Sequence, residues 1–287
     1  MTPLVSFIVT YHNEPEAFVA ACLESLRALS LTEEEAEIIV VDDGSEKPCL
    51  LGKGLRIIRQ EQAGLSVARN TGISHATGKY IQFVDADDCL LPSAYEAVID
   101  YLRKETADII LFRMTTKDRN HPDKESGWQM SSGQSYCLHH NLRAAAWGYA
   151  FRRSILGDLR FYPGLLHEDE LFTPQLFLRA NTLIELNVKA YFYRQHEGTI
   201  THSTSPEKVK KRLDDIHFTI KELHSLGNPL LERRIRQLTV DYLQKTWTQT
   251  HSLHELRCRV SELRKEGFLP LPLRRYSLRY LLASLVF

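Results

Sequence analysis

Between residues 4 and 114 short apolar runs alternate with stretches of helical spacing, and no other feature restricts the fold so strongly. "LVSFIVT" (4–10) is continuously apolar, "EAFVAACLESLRAL" (16–29) repeats its apolar residues at intervals of three and four, and "AEIIVVDD" (36–43) is strand-like again. "LRIIRQ" (55–60), a helical "LSVARNTGISHA" (65–76), "KYIQFVDA" (79–86), a helix after Pro92 and "ADIILFRM" (107–114) continue the series. Runs that are apolar along their whole length suit strands buried on both faces. Separated by helices, they predict parallel βαβ units with helices on both sides. The expected fold is α/β: a doubly wound, mostly parallel sheet flanked by helices.

After about residue 115 the alternation stops. A polar stretch and a mixed region run to about 205, and beyond Pro206 three segments carry apolar residues at helical spacing among many charges. The expected division is a sheet-bearing domain over 1–205 and a helical region over 206–287. The end, "LPLPLRRYSLRYLLASLVF", is apolar with Arg274, Arg275 and Arg279. It suits either docking on the protein's own surface or lying on an anionic membrane as a peripheral contact.

Composition excludes several classes. With 36 basic and 36 acidic residues among 287, there is no surplus of positive charge to displace counterions from a phosphate backbone, so no nucleic-acid partner is expected. Cys22, Cys49, Cys89, Cys137 and Cys258 are odd in number and lack a CxxC pair, which suits reduced thiols. The first residues have no basic n-region, and no apolar stretch reaches the roughly 18 residues of a membrane span. A cytoplasmic protein is expected.

Ligands of doubly wound sheets bind beyond the carboxyl ends of the strands. Three strand ends here are polar: Thr10 to Glu14, Asp42 to Ser45, and Asp85 to Asp88. Asp85, Asp87 and Asp88, separated only by Ala86, repel one another and resist desolvation, so they call for a cation, a positive neighbour or solvent. An Asp-x-Asp offers the sparse oxygen set that a hard cation beside a diphosphate uses; alternatively Asp88 caps the helix that follows. "VVDDGS" either reads a base or ribose or is a turn. Arg69 can pair with a phosphate or with the carboxylates themselves. In "LLHEDELF", Glu168, Asp169 and Glu170 supply either a base with a raised pKa or an acidic first helical turn. Arg194 and His196 in "YRQHEGTITH" can hold a diphosphate, complete a metal shell or be structural.

Taken in order, "VSFIVTYHNE", "VVDDGS", "GLSVARNTGI", "GKYIQFVDADD", "RRSIL", "HEDELF" and "YRQHEGTIT" resemble the family 2 glycosyltransferases over roughly residues 4 to 202. These are nucleotide-sugar-dependent enzymes with the GT-A fold, a Rossmann-like sheet. The resemblance implies that Thr10, Tyr11, His12, Asn13 and Glu14 form the first nucleotide-contacting loop and that Asp43 contacts uracil. It implies Arg69 near the ribose and diphosphate, Asp85 and Ala86 on the donor, and Asp87 on Mn2+ or Mg2+. Asp169 corresponds to the catalytic base, Glu168 and Trp147 to acceptor or sugar binding, Arg194 to the diphosphate, and His196 to the metal or diphosphate. The implied partners are a nucleotide-sugar donor, a UDP-sugar, and a glycan or lipid-linked acceptor of bacterial surface polysaccharide synthesis; the apolar, basic tail is compatible with work at the cytoplasmic face of a membrane. One departure concerns the base: many relatives read Tyr-Asn where this chain has His12-Asn13. A non-catalytic sugar-binding module would not need both Asp87 and Asp169. A nucleotidyltransferase would show a Gly-rich basic loop near the first strand, and a dehydrogenase would show GxGxxG.

Overall fold

The computed structural model describes residues 2–48, 54–117, 127–195 and 205–287. In chain order its strands are β1 (Val5–Tyr11), β2 (Ala36–Asp43), β3 (Arg56–Gln60), β4 (Tyr80–Asp85), β5 (Cys89–Leu90), β6 (Ile109–Thr115), β7 (Trp128–Ser131), β8 (Tyr149–Arg152) and β9 (Leu183–Phe192). Its α-helices are α1 (Glu16–Arg27), α2 (Leu65–His75), α3 (Pro92–Lys104), α4 (Gly133–His139), α5 (Asp169–Leu178), α6 (Pro206–Ser225), α7 (Glu232–Thr250), α8 (Leu253–Lys265) and α9 (Leu278–Val286). The chain separates into two compact units, Met1–Gln134 with Ala144–His196, and Ser135–Arg143 with Glu197–Phe287. Residues 135–143 therefore group with the helical unit, which a single cut near 205 does not anticipate.

The first unit is built on one sheet with the order β3-β2-β1-β4-β8-β6-β9-β5, and β7 pairs with β9. β3, β2, β1 and β4 are mutually parallel, as the apolar runs predict. Beyond β4 the sheet is mixed. β8 runs antiparallel between β4 and β6, and β5 and β7 run antiparallel to β9. These short strands carry no helical crossover, and so no periodicity announced them. Every residue of β1 is buried, which accounts for its unbroken apolar run. One face of the sheet, carrying Phe7, Val9 and Val84, packs with Val19, Cys22 and Leu23 of α1 and Tyr95, Val98 and Leu102 of α3 in a single core. α2 lies on the other face, where Gly72 comes so close to Ile8 that a Cβ there would stand 2.3 Å from Ile8 Cγ2.

In the second unit, α6 and α7 bury their apolar stripes, α8 buries Leu263, and charges link the three. His217 of α6 sits 2.6 Å from Glu266 just past α8, and Arg259 of α8 reaches Asp214 of α6. The four described cysteines are free thiols; Cys49 lies outside the described residues. No helix among the described residues is long and apolar enough to cross a membrane.

Candidate active site

The register of the sheet brings the three polar strand ends together. Thr10 pairs with Asp85 across β1 and β4, and Tyr11 pairs with Asp42 across β1 and β2. Past β1 the chain turns sharply. Asn13 adopts a left-handed φ of 65°, a conformation that asparagine tolerates better than most residues. Its side-chain carbonyl accepts from the Glu46 N–H at 2.8 Å, and its own N–H donates to Ser45 Oγ at 3.1 Å. Tyr11 is buried and donates its hydroxyl to the Lys47 carbonyl at 2.8 Å. His12 Nδ1 lies 2.7 Å from the Asp43 carbonyl, which can only accept, so the ring carries its proton on Nδ1. In the neutral ring Nε2 then accepts from Gln62 at 3.2 Å. Glu14 accepts from the His12 N–H at 2.5 Å; burial, reinforced by Asp87 and Asp85, raises its pKa.

The two acids ending β2 hold the loops of the rim. Asp42 is fully buried, accepting from the Ser45 N–H at 2.8 Å and pairing with Arg59 at 3.3 Å. Asp43 accepts from Gln60 Nε2, the Ala63 N–H and the Gly64 N–H, each at 2.8 Å. Its carboxylate thus fixes the loop leading into α2.

At the centre is Arg69, 3% exposed on α2. One terminal nitrogen pairs with Asp85 at 2.9 Å and the other with Glu168. Its guanidinium also lies over the rings of Phe83 and Phe161, 5.7 and 5.4 Å from their centroids. Burial works against the arginine's charge, but Asp85, Glu168 and Asp169 outweigh it and raise its pKa. Pairing with the carboxylates is one of the two roles open to Arg69 on sequence grounds. Burial raises the pKa values of both Asp85 and Glu168, while Arg69 pulls them down.

Asp169 is the first residue of α5 and follows Glu168. His167, just before them, has a left-handed φ of 61°; for a residue with a Cβ this is a strained turn of the kind that gathers at functional sites. Burial, with the neighbouring Glu168 carboxylate, pushes Asp169 up to a pKa of about 7, against the pull of Arg69, and the Ala146 N–H bonds its carboxylate. A carboxyl group poised near neutrality suits proton transfer at physiological pH.

The remaining expected residues are placed as follows. Asp87 lies half-buried in the turn after β4. Asp88 is not a helix cap: α3 starts after Leu91 with no side-chain cap, and Asp88 is buried, accepting from the Arg194 N–H at 2.7 Å. Burial, then Asp85 and Asp87, push its pKa up to about 8. It follows Asp85 in a turn closed by its own N–H on the Asp85 carbonyl. Arg194 donates from Nε to the Asp87 carbonyl at 2.8 Å and covers Phe18, 4.5 Å from the ring centroid, so it clasps the acidic turn. Trp147 is buried and stacks on Tyr191 at 4.4 Å, beside the Ala146 N–H that holds Asp169. His196 lies outside the described residues. Sequence reasoning missed Tyr191, whose hydroxyl accepts from the Asp85 N–H at 3.2 Å, and the aromatic seat of Arg69. The only signal for Tyr191 was its place three residues before Arg194.

The profile of "Glycosyl transferase family 2" matches residues 6–160. EpsH of Bacillus subtilis is 30% identical over 78% of this chain and 69% of its own length. The glycosyltransferase GlyG of Streptococcus pneumoniae is 25% identical over 89% of this chain and 91% of its own. GlyA of the same species is 26% identical over 79% of this chain, which spans only 35% of that longer relative. Among solved structures, TarS of Staphylococcus aureus in complex with UDP-GlcNAc shares the fold with a TM-score of 0.70 at 21% identity, covering 93% of this chain and 81% of that one.

Proposed function

The chain belongs to glycosyl transferase family 2, and from that premise we propose that it moves a sugar from a nucleotide diphosphate sugar, a UDP-sugar, to a hydroxyl of a glycan or lipid-linked acceptor with inversion at the anomeric carbon. The observation that carries the reading is the buried arginine joining Asp85 at the donor rim to Glu168, beside an Asp169 whose pKa is raised to about 7. A binding module has no use for a base held near neutrality.

The residue roles follow from this arrangement. Tyr11, His12, Asn13 and Asp43 line the nucleotide end of the crevice; His12, keeping its Nδ1 proton on the Asp43 carbonyl, offers an imidazole face where many relatives offer tyrosine. Asp85, oriented by Arg69, receives the ribose and sugar. Asp169 accepts the proton of the acceptor hydroxyl, whose oxygen forms the new bond to the anomeric carbon. The bond from that carbon to the diphosphate oxygen breaks, and its electron pair leaves with the nucleotide diphosphate. Glu168 fixes Arg69 and the turn before the base, Trp147 supports the acceptor side, and Arg194 shapes the turn bearing Asp87.

A divalent cation suits this rim. Glu14, Asp85 and Asp87 crowd together enough for the other two to raise the pKa of Glu14, and carboxylate oxygens are what Mg2+ and Mn2+ take. Asp87 is the residue that would hold it, with His196 as a further candidate; when bound, the ion would offset charge on the diphosphate. TarS has been solved with UDP-GlcNAc and UDP, and a mannosyltransferase of Pyrobaculum calidifontis, with a TM-score of 0.60 at 16% identity, with GDP-Man and Mn2+. A UDP-sugar is favoured by the first pair, and a polymeric acceptor by TarS, a relative named as a poly(ribitol-phosphate) beta-N-acetylglucosaminyltransferase; bacterial surface polysaccharide synthesis is the setting that fits such an acceptor. The test is a panel of nucleotide sugars read by nucleotide diphosphate release with and without Mn2+. One UDP-sugar should turn over only with metal, and Asp87→Ala should remove that dependence together with the activity. Full metal-free turnover by Asp87→Ala would refute the assignment.

A further inference from the structure

The α9 helix is anchored on one side and uncovered on the other. Tyr280 is 2% exposed and donates its hydroxyl to the Pro272 carbonyl at 3.1 Å, and Arg279 pairs with Asp241 of α7 at 2.6 Å. On the side opposite Tyr280, and bordered by Arg279, Leu278, Leu282, Leu285 and Val286 are 73%, 56%, 70% and 72% exposed. At roughly 100° per residue these four fall within an arc of about 100°, one apolar band on a short helix. An exposed, contiguous apolar stripe is not the usual surface of a soluble chain and marks a site of contact.

Two further observations choose the occupant. The 19 residues 269–287 contain Arg274, Arg275 and Arg279 and no acidic residue. Arg274 and Arg275 are exposed just ahead of the helix, next to the equally exposed Leu273. Behind α9 lies an apolar cavity of about 380 Å³, walled by Ala283 and Phe287 of α9 with Leu243, Trp247, Leu253 and Leu256, of which Trp247 and Leu253 also reach the surface. Cationic residues flanking an apolar stripe match a bilayer that is anionic at its headgroups and hydrocarbon beneath. The helix is too short to span a membrane, so it would lie in the interface.

We propose that the outer face of α9 docks this chain on an anionic lipid bilayer, with Leu278, Leu282, Leu285 and Val286 entering the acyl region and Arg274 and Arg275 meeting lipid phosphates. The proposal is independent of the catalytic reading, although it would hold the chain where a lipid-linked acceptor resides.

Flotation of the full chain with vesicles tests it, comparing pure phosphatidylcholine with phosphatidylcholine containing phosphatidylglycerol. The chain should float with the anionic vesicles and be released by salt. Arg274→Gln with Arg275→Gln should weaken binding roughly 30-fold, and Leu282→Ser with Leu285→Ser should abolish it. Both pairs lie on an exposed surface and should leave the thermal unfolding midpoint unchanged, which separates lost docking from lost folding. Failure of the wild type to float, or equal binding to neutral vesicles, overturns the proposal. A dimer seen by light scattering that the serine pair dissolves, without vesicle binding, would assign the stripe to a second copy instead.

Discussion

Arg69 carries the most weight of any single side chain. Its guanidinium is the counter-charge for two carboxylates that burial would otherwise neutralise, so removing it leaves Asp85 and Glu168 facing each other's charge without compensation. Arg69→Met is expected to cost about 3–5 kcal/mol of stability, as for a broken buried ion pair, and to eliminate turnover; chemical denaturation reads the first effect and nucleotide diphosphate release the second. Arg69→Lys keeps a charge but cannot fork to both acids, so it should recover only part of either. Asp169 makes a pH prediction. Because its folded pKa of about 7 stands above the ordinary aspartate value, the folded protein holds a proton that the unfolded chain has released. That contribution to stability is therefore lost as pH rises from about 4 toward 7, and Asp88, raised to about 8, acts in the same direction. The thermal midpoint of the ligand-free protein should fall over this range while kcat/KM rises through an apparent pKa near 7.

Among the elements, β1, β2 and β4 with α1, α2 and α3 were legible because each is a long periodic segment with one answer to its burial pattern. The antiparallel β5, β7 and β8 were not, since strands of two to four residues carry no period, and their partners are distant in sequence. The same contrast runs through the site. Asp85, Asp169 and Arg69 stand in recognisable strings, and the order of the strands sets Asp85 beside Thr10 at the rim. Tyr191, the Ala146 N–H and the Phe161 ring are tertiary neighbours that no local pattern marks. Asp88 could serve the local turn or the helix start on sequence grounds: a carboxylate a few residues ahead of a helix looks like a cap, but it sits in the turn after β4 and accepts the Arg194 N–H from the chain just past β9. The contact of α2 with β1 also tests the fold directly. Gly72→Ala would drive a methyl into Ile8 and should destabilise by about 1–3 kcal/mol, moving Arg69 with its helix and lowering turnover beyond what the stability loss explains.

For the whole molecule, Asp43, Arg69, Asp85, Asp87 and Asp169 all belong to the sheet-bearing unit, while the helical unit carries an apolar, basic surface of its own. Family membership accounts for the first and leaves acceptor and linkage to experiment. The central claim is that Asp169 removes the acceptor proton during transfer from a nucleotide sugar. The measurement closest to it is product formation by Asp169→Asn against wild type, with the donor identified from the panel, a saturating acceptor and Mn2+. The side chains are nearly the same size, so the site should survive the exchange while losing its base. The account predicts that transfer falls by roughly 10²–10⁴-fold with donor affinity retained; transfer by Asp169→Asn at the wild-type rate would contradict it.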